Sequence, residues 1–188
     1  MKCAVFLDRD GTIIEEKNFL HRPEEVLLIA GAASALERLQ AAGLLLFIVT
    51  NQSGVGRGYF TMADVDAVHR RLQEIVGCRG VHFQKIYVAP EAPGVPSYGR
   101  KPSPQFLFDA RDEFGLDLAQ SYLIGDKLTD LECGRNAGLK TSILVRTGYG
   151  IEAERQSTGG LGASVVVDSL TEAVDWILAT VLKAPQLL

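Results

Sequence analysis

Cysteine is scarce and scattered: the 188 residues hold three, Cys3, Cys78 and Cys133, with no CxxC and no Cys/His spacing among them. That excludes a zinc knuckle and a disulfide framework and leaves reduced thiols as the reading. Basic blocks are missing too. The formal net charge is -4 and no run of Lys or Arg occurs, so a surface that wraps nucleic acid is excluded, and the expected partners are small molecules or proteins. The apolar stretch at residues 173–182 contains Asp175 and is too short to span a bilayer, so no membrane segment is expected. The chain enters a strand after two residues, which leaves no room for a signal peptide and sets the expectation of a cytoplasmic protein. Repeats and low-complexity tracts are absent. With 47% hydrophobic residues, enough for one core, residues 1–188 are expected to form a single domain.

What is present is organised around residues 3–12, CAVFLDRDGT. The β-favouring run Ala4-Val5-Phe6-Leu7 breaks into Asp8-Arg9-Asp10-Gly11-Thr12, so a buried strand delivers two carboxylates to its C-terminal end. In extended chain, positions i and i+2 share a face about 6.6 Å apart, which lets Asp8 and Asp10 flank one reacting atom. Like charges closing to about 4 Å repel by roughly 4 kcal/mol at an effective dielectric near 20. A cation or protonated partner is therefore expected; an Asp-rich turn closed by Gly11 is the plainer alternative.

The rest of the chain alternates strand-like and helix-like segments. Residues 13–30 read as a loop or small hairpin over the strand end. A helix over 31–42 stops at Gly43, and an apolar strand over 44–49 discharges Thr50-Asn51-Gln52-Ser53. The Gly-rich loop 54–58 leads to Thr61 as N-cap, with Asp64 three residues on. A third strand at 85–88 is followed by a proline-spaced loop, 89–99, ending on Arg100-Lys101-Pro102. Ser103 and Pro104 open a helix to 114. A strand at 121–124 closes on Gly125-Asp126-Lys127-Leu128-Thr129-Asp130 before a helix to 137. A strand at 141–145, a mobile glycine-containing loop at 148–162, a strand at 164–167 and a helix from 170 complete the chain. Alternation with continuously apolar strands predicts an α/β fold, a doubly wound parallel sheet covered by helices on both faces. Ligands of such sheets sit beyond the strand C-termini, near the switch in strand order. The polar clusters of four strands fall there.

Phosphoryl transfer, which is mostly positioning and charge neutralisation, needs this inventory. Asp8 is a candidate carboxylate nucleophile, and Asp10 is placed to protonate a leaving oxygen and then deprotonate water. Thr50 and Asn51 supply neutral donors, Lys101 adds positive charge, and Asp126 adds an oxygen ligand of the kind that holds a partly hydrated Mg²⁺.

The set DxDGT at 8–12, TN at 50–51, Lys101, and GDxxxD at 125–130 resembles the four ordered motifs of the haloacid dehalogenase-like phosphatases, over residues 3–145. The strings FLDRDGTI, TNQSGVGRGYFT, RKPSP and GDKLTDL are similar to the heptose-1,7-bisphosphate phosphatases and their histidinol-phosphate phosphatase relatives. The resemblance implies Asp8 as nucleophile and Asp10 as general acid/base. It further implies Mg²⁺ held by Asp8, the Asp10 carbonyl and Asp126. Thr50 and Lys101 would steady the phosphoryl group, while Arg100, Lys127 and the loop Asn51, Gln52 and Ser53 would touch the substrate. In one respect the sequence departs: heptose bisphosphate phosphatases typically carry zinc-binding Cys/His residues before the Arg-Lys motif, and residues 89–99 contain neither type. Zinc is therefore not expected, and the prolines at 90, 93 and 96 stiffen the loop instead.

No interval is long enough for a large cap domain, so an open site is expected. Arg57 and Arg100 would flank it and hold a second phosphate, in keeping with a sugar bisphosphate. Asp130 reads equally as a helix cap or a catalytic group. His21, His69 and His82 read as surface or loop residues, and Phe114 and Trp176 as core. Two other classes compete: a phospho-accepting receiver domain, which lacks an acid/base aspartate two residues after the acceptor, and a catalytically silent binding protein, which lacks Asp8 or Asp10.

Overall fold

A computed structural model describes residues 2–157 and 161–183. Six strands form one sheet: β1 (Ala4–Leu7), β2 (Leu45–Asn51), β3 (Lys85–Ala89), β4 (Tyr122–Gly125), β5 (Thr141–Val145) and β6 (Val165–Val167). Their order is β3-β2-β1-β4-β5-β6, and every pairing is parallel. The chain winds outward from β1 to β3 on one side and returns to start β4 on the other. The switch in strand order therefore falls between β1 and β4, and each is followed directly by an aspartate, Asp8 and Asp126.

β1 shows why its sequence is apolar without alternation. Val5 and Leu7 pack into one core with Leu36 and Leu39 of α1 (Ala32–Ala41), Val68 and Leu72 of α3 (Met62–Gly77), and Val174 and Ile177 of α7 (Leu170–Lys183). Ala4 and Phe6 face the opposite layer, with Leu107 and Ala110 of α4 (Gln105–Phe114) and Cys133 of α5 (Leu128–Asn136). A strand covered on both faces needs apolar residues at both parities.

Local signals behave as expected at several ends. Gly43, at φ 82°, lets its N–H reach Gln40 O at 2.9 Å while Leu44 N–H reaches Leu39 O at 3.2 Å, closing α1. Thr61 and Asp64 form a reciprocal capping box at the start of α3. Residues 13–30 form a small hairpin-like flap through the Ile14–Leu28 bridge, with a 3-10 turn at Pro23–Glu25. Among the described residues, only this flap lies between residue 12 and α1 and only an irregular loop lies between β3 and Arg100, so no large cap covers the sheet end.

Three local expectations need correction. Ser53–Gly56 is a single helical turn, α2, inside the presumed Gly-rich loop. The helix after Lys101 begins at Gln105, with Pro104 rather than Ser103 at the cap position. Residues 148–162 are not simply a loop: Gly150–Gln156 form α6, whose residues after Gly150 are mostly good helix formers. Ala153 of α6 packs against Leu131 and Leu144, and Glu154 is tied to Arg146 at 2.7 Å. Residues 158–160 of that expected loop lie outside the described residues. No helix among the described residues is long and apolar enough to cross a membrane.

Candidate active site

Asp8 follows β1 directly, its N–H donating to Ile124 O of β4 at 2.9 Å, so the ladder itself fixes where its side chain emerges. Lys101 reaches it from the loop before α4. Its Nζ donates to Asp8 Oδ1 and to Val49 O, both at 2.7 Å, and lies 2.6 Å from Asp130 Oδ1. The lysine backbone is pinned in turn. Asn51 at the end of β2 accepts from Lys101 N–H at 3.0 Å and donates to Lys101 O at 3.2 Å. Asn51 thus lines the cavity while its amide is engaged with the loop that presents the lysine.

Asp8, Asp126 and Asp130 each place an oxygen within 4.8 Å of the others. Three glycines leave the room for this. A Cβ on Gly11 or Gly148 would sit 2.2 Å from Asp126 Oδ2, and one on Gly125 would sit 2.2 Å from Asp130 Oδ2. Asp126 Oδ2 accepts from Tyr149 N–H at 2.9 Å, but its buried Oδ1 has no hydrogen-bond partner. Lys127 Nζ stands 3.6 Å from that oxygen and 3.6 Å from Glu16 Oε2. Asp130 Oδ2 accepts from Lys127 N–H at 2.9 Å, so this residue both caps α5 and grips Lys101.

The electrostatics follow from burial. Burial alone would raise the Asp8 pKa, but the charges of Lys101 and Lys127 outweigh it and hold the group below its ordinary value. At Lys101 burial favours loss of the proton, yet Asp130 and Asp8 keep the ammonium charged. Asp126 is pushed up to about 7, by burial first and the Asp8 charge second. Asp130 is also raised, by burial, with Lys101 opposing. A carboxylate raised this way, with an oxygen lacking a donor and only oxygen ligands around it, fits a hard divalent cation. Asp8 and Asp126 would hold it, and its charge would supply electrostatic stabilisation to phosphate oxygens.

Asp10 sits beside this cluster with both carboxylate oxygens accepting hydrogen bonds. Arg9 donates from Nε to Oδ2 and from Nη2 to Oδ1, each at 3.0 Å, and Gln52 Nε2 donates to Oδ2 at 2.8 Å. Gln52 Nε2 also reaches the buried Thr50 Oγ1 at 2.7 Å. Burial first, and the Arg9 charge second, lower the His69 pKa to about 3. His69 lies buried on α3, neither surface nor loop as expected.

Asp8, Asp10, Thr50, Asn51, Gln52, Lys101 and Asp130 line a cavity of about 280 Å³ that also takes in Ser53, Lys127, Glu16, Asn18, Phe19 and Tyr149, while Asp126, Arg9 and His69 lie behind its lining. Arg57 and Arg100 are not in its lining. Arg57 is exposed, and Arg100 Nη1 donates to Glu91 O at 3.1 Å. The two guanidiniums are close enough that Arg57, after burial, lowers the Arg100 pKa. The loop after β3 is closed by Ser97 Oγ donating to Glu91 Oε2 at 2.6 Å and by Gly56 N–H donating to Pro90 O at 2.8 Å. Sequence reasoning passed over Arg9, Glu16, Asn18, Phe19 and Tyr149 as site residues. Only Arg9, between the two aspartates, carried a positional signal.

A doubly wound parallel sheet whose switch point carries clustered carboxylates and a buried lysine over an open cavity defines a hydrolase of the phosphoryl-transfer class. A HAD-hydrolase-like family model matches residues 98–173. The D-glycero-D-manno-heptose-1,7-bisphosphate 7-phosphatase of Thermosynechococcus vestitus is 38% identical over 93% of this chain and 94% of its own. The D-glycero-beta-D-manno-heptose-1,7-bisphosphate 7-phosphatase of Haemophilus ducreyi is 39% identical over 94% of this chain and 98% of its own. The D,D-heptose 1,7-bisphosphate phosphatase of B. bronchiseptica, solved with magnesium and phosphate, superposes with a TM-score of 0.88 at 30% identity, covering 96% of this chain and 99% of that one. The chain belongs to the haloacid dehalogenase-like hydrolases, in the heptose-1,7-bisphosphate 7-phosphatase family.

Proposed function

We propose that the protein is a Mg²⁺-dependent phosphomonoesterase that removes the 7-phosphate of D-glycero-D-manno-heptose 1,7-bisphosphate in the cytoplasm. The substrate rests on the names of the relatives. The chemistry rests on one observation: the Asp8 carboxylate, held below its ordinary pKa by Lys101, has an oxygen within 4.8 Å of one of Asp126, whose buried Oδ1 lacks a donor. In this reading an Asp8 oxygen attacks phosphorus as the ester P–O bond breaks, and Asp10 gives its proton to the departing sugar oxygen. Asp10 then takes a proton from water, whose oxygen attacks phosphorus. The bond to Asp8 breaks, and phosphate and the free carboxylate result. Thr50 and Lys101 steady the phosphoryl oxygens, and Asn51, Gln52, Ser53 and Lys127 border the substrate. Arg57 and Arg100, near each other outside the cavity lining, would take the second phosphate.

Histidinol phosphate or another small phosphometabolite is the second reading, favoured by the absence of Cys and His from residues 89–99. A receiver-like acceptor accounts less well for Asp10. The test is phosphate release from both heptose bisphosphate anomers, histidinol phosphate and an aryl phosphate, with and without Mg²⁺. Turnover by the parent and its loss in a folded Asp8→Asn variant is expected; equal rates would end the nucleophile assignment. The same preparation should contain no stoichiometric zinc by elemental analysis.

A further inference from the structure

Arg9 has no place in the chemistry above, yet it is the largest fully buried side chain of the described residues, with 0% of its surface exposed. A guanidinium in that position is tolerated only when its donors are met. Each of its three nitrogens has a partner, from two groups. Nε and Nη2 grip both oxygens of Asp10 as a fork, and Nη1 lies 3.1 Å from Nε2 of His69, which comes from α3, 60 residues away. Because a guanidinium only donates, His69 Nε2 accepts and the ring proton resides on Nδ1. The neutral ring therefore fixes the rotation of the guanidinium, and the guanidinium fixes the plane of the Asp10 carboxylate. Neither Arg9 nor His69 lines the cavity. Their side-chain hydrogen bonds reach the cavity only through Asp10.

We propose that Arg9 and His69 are positioning residues that aim the Asp10 carboxylate at the leaving-group oxygen, with helix α3 as the fixed support. This rests on the reading of Asp10 as the general acid. A fork held at only one end can swing about its own stem. Its third donor, anchored on a packed helix, removes that freedom. The cost of losing the anchor is thus misdirected proton transfer, and it grows with how much the leaving oxygen needs a proton.

That dependence supplies the test. The values of kcat/KM for 4-nitrophenyl phosphate, a good leaving group, and phenyl phosphate, a poor one, are compared in the Mg²⁺-loaded protein, since kcat/KM reports the step that expels the alcohol. Asp10→Asn serves as reference, and a general acid is worth about 100-fold or more on the poor leaving group. His69→Leu should lower kcat/KM about tenfold more for phenyl than for 4-nitrophenyl phosphate, a fraction of that general-acid effect. His69→Gln, whose Oε1 can accept from Arg9, should restore the parent ratio. Arg9→Lys, which keeps the charge but loses the fork, should behave like His69→Leu and serves if that variant does not fold. Equal loss on both substrates in His69→Leu and Arg9→Lys, with Asp10→Asn discriminating, would overturn the positioning role alone. Asp10→Asn failing to discriminate would instead remove the general-acid reading, and this proposal with it.

Discussion

Lys101 Nζ donates to Asp8 Oδ1 at 2.7 Å across 93 residues of sequence, with both side chains nearly excluded from solvent. The same ammonium lies 2.6 Å from Asp130, so one cation compensates two buried carboxylates. Removing one partner of such a set leaves uncompensated charge in the interior. Lys101→Met is expected to lower stability by about 3–5 kcal/mol in urea unfolding. Turnover should fall about 100-fold or more, because the charge on the transferring phosphoryl group loses a fixed donor. A variant as stable as the parent would mean that Asp8 and Asp130 are neutral in the folded protein.

Gly148 is the second lever on the site. Its φ is +56°, and a Cβ there would meet Asp126 Oδ2 at 2.2 Å and Gly11 Cα at 2.6 Å. Gly148→Ala should displace the carboxylate and raise the Mg²⁺ concentration for half-maximal activity about tenfold or more, in line with the effect of disturbing what orients a metal ligand. Gly138→Ala is the control, with φ +70° and nothing within 4 Å of the added Cβ. It should cost about 1–2 kcal/mol of stability through backbone strain alone and leave the Mg²⁺ requirement unchanged. Equal Mg²⁺ dependence in the two variants would separate Asp126 from the cation.

How much of this was legible in the sequence depended on whether a residue acts through its strand end or through its neighbours in space. Asp8, Thr50 and Asp126 stand where an apolar strand turns polar, and the parallel sheet brings those ends together. Lys101 was legible as a basic residue near a strand end. Its grip on Asp130 was not, because it depends on how α5 is capped. The union of Arg9 and His69 requires α3 to pack beneath β1, which periodicity does not encode. Asn18 and Phe19 take φ of 46° and 66° in the flap over the cavity, where no glycine marked a left-handed turn. α6 was hidden because flanking glycines suggested a loop, while its helix is stabilised by tertiary contacts of Ala153 and Glu154.

Asp126, proposed above as a cation ligand, ties stability to pH through its burial. Its pKa rises from 3.8 to about 7 on folding, so between those values the folded chain binds more protons than the unfolded one. Stability of the metal-free protein then falls as pH rises through that window. At about 1.4 kcal/mol per unit the upper bound is roughly 4 kcal/mol. In EDTA at pH 8, Asp126→Asn should unfold at higher temperature than the parent, and the gap should close towards pH 4. Mg²⁺ should reverse the order, since only the parent gains binding free energy. A metal-free parent that outlasts Asp126→Asn at pH 8 would contradict the raised pKa.

His69 makes the opposite prediction about acid. Its pKa falls from 6.5 to about 3, through burial first and the Arg9 charge second, so the ring stays neutral when folded. Between those values the unfolded chain binds the extra proton, and stability is lost as pH drops below 6.5. From pH 6.5 to pH 5 this group alone should remove about 2 kcal/mol. His69→Gln can accept from Arg9 but cannot titrate. Urea unfolding of parent and variant at pH 7.5 and pH 5 should therefore show the parent losing about 2 kcal/mol more than the variant. Asp8, held below its ordinary value, adds its own acid sensitivity, but it is present in both proteins and cancels in the comparison. Equal losses in both would mean that His69 titrates in the folded chain, and that Arg9 tolerates a second positive charge at 3.1 Å.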